Sequence, residues 1–148
     1  MVYGPCLLSR TERLIQRVQN ACARFCFKIP NRSHVTPYLN VNNVLKMTAR
    51  RKLHLASLLF GVTKYRKPSY LYEKLTWRQD QYKYTARIST NPLRNPKYST
   101  AAFRGSFKYA ATHCWNNIPP PLRDLGTLQS FKLHFKNFLL SEQKNLTE

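Results

Sequence analysis

The chain has 148 residues, of which 43% are apolar and 13% aromatic, enough for one modest hydrophobic core and too apolar for a disordered chain. Lys and Arg number 25 against 6 Asp and Glu, a net charge of +19, so a compact fold repels itself unless an anionic partner compensates. No apolar run reaches the ~20 residues that cross a bilayer, and the start MVYGPCLLSR lacks the charged-then-apolar pattern of a secretory signal.

Ser9-Arg10-Thr11-Glu12 has the S-x-x-E form of a capping box and predicts a first helix from Arg10 to about Lys28. At ~100° per residue, Arg10, Arg13, Arg17, Arg24 and Lys28 fall within roughly 60° of one another. Ala21, Leu14, Phe25, Val18, Cys22, Ile15 and Cys26 occupy the adjoining ~140°, a stripe expected to pack on the second and last helices. Cys22-x₃-Cys26-x₇-His34 has a spacing that thiolate and imidazole ligands use for zinc. A fourth ligand at a similar interval would fall near Leu39, which cannot coordinate, and on the apolar stripe the two thiols read as small hydrophobes.

IPNRSHVTP, with Pro30, Asn31 and Pro37, marks a turn. Thr48 is the expected N-cap of a second helix, ARRKLHLASLLFGVTKY, whose polar sector (Lys64, Ser57, Arg50, Gly61, His54) is narrow, so that this helix is mostly buried. His54 reads as a surface or satisfied residue. A short helix, KPSYLYEKL, follows with Pro68 in its first turn. From Thr76 to about Gly105 no periodicity is visible, and Trp77, Tyr82, Tyr84 and Tyr98 are interleaved with basic residues. Two readings stand for these rings: a stacking-plus-phosphate surface for single strands, or anchors tying an irregular segment to the core.

SFKYAATHCWNNIPPPLRDL resumes helical spacing with Phe107, Ala111, Cys114 and Ile118 on one face, and Pro119-Pro120-Pro121 stops it. One further turn is expected over Leu122 to Leu125. Thr127 caps a last helix in which Leu128, Phe131, Phe135, Phe138 and Leu139 form a stripe ~100° wide, read as core or interface. The expected fold is all-α: a small irregular bundle of four or five helices in a single domain over 1–148. It comprises N-terminal helices (1–75), a long basic and aromatic loop insertion (76–105) and C-terminal helices (106–148).

Every charged residue between Glu12 and Glu73 is basic, and a second acid-free span runs from Asp80 to Asp124. A solvated helix face mixes signs to gain i,i+4 pairs. A face of one sign points to a polyanion, with RNA or DNA the leading partner because neutralised phosphates release counterions. A membrane-surface role is disfavoured because the aromatics are spread through the chain and do not line one helix face. The six acidic residues form no adjacent general acid/base pair or two-metal cluster, there is no G-x-x-x-x-G-K loop and no G-x-S-x-G elbow. The chain by itself is therefore expected to be non-catalytic, with no metal site and no cofactor.

Three segments in a fixed order carry a family resemblance. RLIQRVQNACARF resembles the L-x-R-V-Q-N-x-x-x-R-F stretch in the C-terminal part of reverse transcriptases from non-LTR (LINE-type) retrotransposons, especially the Jockey-like group. HVTPYLNVNNVLKMTARRKLHLASLLFGVTKYRKPSYLYEKL is similar to the next segment, where a basic RRKLH helix leads to P-x-Y-L. SFKYAATHCWNNIPPPLRDLGTLQSFKLHFKNFLL is similar to the closing pattern of S-F-x-Y-x-A, W-N-x-(I/L)-P and S-F-K. The resemblance implies a thumb and downstream fragment of an RNA-directed DNA polymerase, without the endonuclease and the palm; no Asp-Asp pair occurs in this chain. It implies Arg13, Arg17, Arg24, Arg50, Arg51 and Lys52 as template–primer backbone contacts. The charge pattern adds Lys28, Arg78, Lys83 and Arg87. Further implications are the upstream polymerase region as a second partner and residence in the nucleus, the alternative being the cytoplasm. Trp115 and Asn116 also match the family, the ring reading as core filler and the amide as a cap or turn partner. Two other readings are a stand-alone helical interaction module docking through its Phe-rich last helix, and a degenerate retroelement remnant with no activity.

Overall fold

A computed structural model describes residues 9–77, 93–97 and 99–145. In chain order the helices are α1 (Ser9–Phe27), α2 (Thr36–Val41), α3 (Met47–Tyr65), α4 (Ser69–Tyr72), α5 (Ala101–Arg104), α6 (Phe107–Asn116), α7 (Pro120–Arg123) and α8 (Leu128–Asn145). The protein is all-α; the described residues hold no strand beyond an isolated antiparallel bridge between Trp77 and Leu93. Four long helices, α1, α3, α6 and α8, carry the architecture, and the short ones turn the chain between them.

α3 is the hub, packed against α1, α4, α6 and α8. Its apolar residues wrap most of its circumference, so it can bury several faces at once: Ala56, Leu59, Phe60 and Val62 are all buried. Phe60 stacks on Phe131 of α8 with ring centroids 4.5 Å apart, and Phe131 continues onto Phe135 at 5.4 Å. Ala111 and Trp115 of α6, with Ile118, close the other side. Thr127 caps α8 as the sequence predicts, its hydroxyl accepting from the Ser130 N–H at 3.2 Å. Because Phe131, Phe135, Leu139 and Leu140 are spent in this core, the Phe-rich stripe of α8 is not a free docking face.

The start of α3 differs from expectation. Thr48 lies inside the first turn, and the N-cap is Lys46, which provides no side-chain cap. Two distant glutamines satisfy the orphan amides instead: Gln143 Oε1 of α8 accepts from the Lys46 N–H at 2.9 Å, and Gln16 Oε1 of α1 accepts from the Met47 N–H at 3.0 Å. Gln19 Nε2 donates to the Leu45 carbonyl at 2.7 Å. α2, read from sequence as part of a turn, is one short helix with Pro37 in its first turn; Leu39 seats it in a small second cluster with Ala23, Ile29 and Val35.

The largest correction concerns α1. Its polar face, carrying Gln16, Gln19 and Asn20 around buried Ala23, is the one applied to the body. The apolar stripe expected to pack inward points out: Leu14 is 49% exposed, Val18 64% and Phe25 87%, and Ala21, Cys22 and Cys26 are exposed as well. Of that stripe only Ile15 is partly covered. Within the expected 76–105 insertion, the described residues are tied to the core. Leu93 is fully buried in the main core, and the Asn116 side chain brackets it, accepting from its N–H at 3.2 Å and donating to its carbonyl at 3.0 Å. α5 forms a helical turn within the same span. Trp77, half-buried 6.2 Å from the Tyr72 ring, is an anchor. Tyr82, Tyr84 and Tyr98 lie outside the described residues.

Two phenylalanines that look alike in the sequence should therefore behave oppositely. Phe131→Ala should cost about 3–5 kcal/mol in urea unfolding, while Phe25→Ser should stay within about 0.5 kcal/mol of the parent.

Candidate nucleic-acid interface

The cation row of α1 forms as its spacing dictates. Arg10, Arg13 and Arg17 are exposed along one flank, and Lys28 extends the row just past the helix end. Lys28 takes a left-handed backbone (φ 50°), and the Ile29 N–H donates back to the Arg24 carbonyl at 3.0 Å, so the residue that ends α1 also places an ammonium at its negative pole. Arg24 is partly diverted. Its guanidinium donates to the Pro30 carbonyl at 2.7 Å and the Ser33 carbonyl at 2.8 Å, folding the 28–33 turn back onto the helix.

The Arg50-Arg51-Lys52 triplet does not make one patch. Consecutive helical residues project ~100° apart, so the three side chains leave α3 in different directions. Arg50 faces solvent. Arg51 turns to α1, where its Nη1 meets Glu12 Oε1 at 2.8 Å in a half-exposed ion pair. Lys52 lies on the α6 side, near enough to Cys114 for its charge to favour the thiolate there. Arg78, Lys83 and Arg87 lie outside the described residues.

The basic cluster at 64–67 is likewise divided. Lys64 Nζ donates to the Leu125 carbonyl at 3.1 Å and to the Gly126 carbonyl, and sits 5.5 Å from the Phe60 ring centroid, tying the end of α3 to the turn before α8. Arg66, in a left-handed conformation just past α3, lies over the Tyr72 ring at 5.6 Å.

A second cationic feature emerges only in the fold. An open cleft of about 290 Å³ is lined by Thr76, Arg94, Asn95, Pro96, Lys97, Phe103 and Lys108. Among the described residues three cations, an amide and a partly exposed ring converge there without a carboxylate, a composition suited to phosphate beside a planar group. Asn116 sets one wall by donating to Asn95 Oδ1 at 3.2 Å as it brackets Leu93. The sequence signal was present as the acid-free span from Asp80 to Asp124, but nothing in it joined Lys108 to residues 94–97.

Cysteine chemistry is placed as follows. Cys22, Cys26 and His34 are exposed, and the described residues contain no group of three or more His, Cys, Asp or Glu side chains able to hold a metal. Cys114 is enclosed between α3 and α6, and burial pushes its thiol pKa up to about 11 against the opposing pull of Lys52. It is therefore a neutral thiol at physiological pH and a poor nucleophile. No described helix is long and apolar enough to cross a membrane.

Brief alkylation of the folded protein with iodoacetamide at pH 8 should label Cys22 and Cys26 and spare Cys114, which should react only after denaturation; peptide mass mapping reads the three sites separately.

No protein-family model matches this chain, and neither the curated proteins nor the solved structures contain a match to it.

Proposed function

We propose that this chain binds nucleic acid through the sugar–phosphate backbone, as the non-catalytic C-terminal fragment of a non-LTR retrotransposon RNA-directed DNA polymerase. The observation that carries the binding is a mismatch of charge: 6 carboxylates face 25 cations, and the exposed flank of α1 presents Arg10, Arg17 and Lys28 with no acid beside them among the described residues. One of those carboxylates, Glu12, is already committed to Arg51. Phosphates supply the missing counter-charge, and counterion release favours the contact. The cleft of Arg94, Lys97 and Lys108 beside Phe103 adds a place where a base can stack while its phosphate is held.

Backbone contacts of this kind fix position without reading sequence, so discrimination between base sequences is not expected. The polymerase origin rests on the ordered segments RLIQRVQNACARF, RRKLH with its P-x-Y-L, and W-N-N-I-P followed by S-F-K. On this reading the upstream polymerase region is a further partner, and the nucleus is the site of action.

Binding to an RNA–DNA hybrid across a salt series tests the proposal. Log affinity should fall linearly with log salt, and Arg17→Ala should reduce the slope by about one unit. Arg51→Ala, which removes an arginine already paired with Glu12, should change the slope less. Affinity indifferent to salt overturns the reading.

A further inference from the structure

The outward face of α1 has an order of its own. Leu14, Val18, Ala21 and Phe25 follow one another at intervals of four, three and four, the spacing of alternating d and a positions in a heptad, and Thr11 extends the series by one position. On an α-helix these residues form a seam on the side away from α3, and the seam is open: Val18 and Phe25 keep most of their surface in solvent. Arg10, Arg17 and Arg24 each stand one residue before an a position and so occupy the g flank. The e flank holds Ile15 and Cys22, which carry no charge. The result is a two-heptad apolar seam bordered on one side only, and only by cations.

We propose that this seam is the docking site of an acidic amphipathic helix from a partner protein, laid along α1 as a short two-stranded coiled coil. Charge complementarity selects that occupant. A second copy of this chain gains no ion pair: an antiparallel pairing sets arginine against arginine, a parallel one sets arginine against Ile15 and Cys22, and each copy brings +19. A nucleic-acid strand neutralises the g-flank arginines and leaves the Phe25 and Val18 side chains in water. A helix with apolar a and d residues and carboxylates along one flank covers the seam and pairs with Arg10 and Arg17 together. Arg24 contributes less, because the Pro30 and Ser33 carbonyls already hold it. This surface goes beyond the nucleic-acid reading, since the apolar seam calls for cover whatever the cation row binds. Because Arg10 and Arg17 serve both, the acidic helix and the phosphate backbone compete for them.

The test uses the full chain and a three-heptad synthetic peptide with Leu at a and d and Glu at e and g, followed by fluorescence anisotropy. The peptide should bind, its counterpart with Lys in place of Glu should not, and Val18→Ser combined with Phe25→Ser should weaken binding by about tenfold or more. The same double variant should keep the RNA–DNA hybrid affinity of the parent, which separates this inference from the nucleic-acid reading. Circular dichroism checks that it folds; Phe25→Ser alone, at a side chain 87% exposed, is the second variant should the double one unfold. Three results would overturn the proposal. They are equal peptide binding by parent and seam variant, which is charge attraction alone; self-association of the parent that the variant loses; and loss by the variant of affinity for the hybrid or for anionic lipid vesicles.

Discussion

The junction at residues 44–47 is the constraint on which the arrangement depends. The chain turns there from α2 into α3, and its backbone donors and acceptors sit between three helices without a local cap. Side-chain amides serve both kinds of group because a glutamine is donor and acceptor at once. Gln143 Oε1 accepts from the Lys46 N–H while its Nε2 donates to Asn40 Oδ1 at 2.7 Å and to the Val44 carbonyl at 3.3 Å. From α1, Gln16 accepts from the Met47 N–H and Gln19 donates to the Leu45 carbonyl. Leaving such partly buried groups unmet costs about 1–3 kcal/mol each, so the glutamines hold α1, α2, α3 and α8 to a common geometry.

That geometry accounts for the orientation of α1. A helix that offers amides to a neighbouring backbone must turn its polar face inward, and the apolar face then has nowhere to go but out. The Arg51–Glu12 pair reinforces the same rotation from the other side of the contact. Exposing Leu14, Val18 and Phe25 is unfavourable for the isolated chain, at ~25 cal/mol per Å² of apolar surface left in water. The hydrogen-bonded junction and the small cluster around Ala23, Ile29, Val35 and Leu39 offset it.

The cations divide by the same logic. Those with a carbonyl, a ring or a carboxylate in reach have become structural: Arg24 closes a turn, Lys64 joins α3 to the approach to α8, Arg66 lies on Tyr72, and Arg51 joins α1 to α3. Arg10, Arg17 and Lys28 on the α1 flank, and Lys97 in the cleft, stay at the surface. Density of charge along the sequence was therefore a poor guide to patches. Arg50-Arg51-Lys52 is the densest run among the described residues and spreads over three directions, whereas Lys97 and Lys108, eleven positions apart, line one cleft.

Much of the fold was legible in the residues themselves. The all-α class, the four long helices, the Thr127 cap, the stop at Pro119–Pro121 and the burial of α3 and α8 follow from period and local steric preference, which act within a few residues. The row along α1 was legible for the same reason, since a helix fixes the angular order of its own side chains. What lay beyond the sequence was which face of α1 meets the body, where Leu93 and Asn95 are pinned by Asn116, and which cations remain free of carbonyls and carboxylates. Those depend on partners 20 to 100 positions away, and amphipathic spacing records only that a face is apolar. Whether that face is buried was decided in the tertiary structure, where satisfying the backbone at 44–47 with glutamine amides took precedence over hiding the α1 stripe.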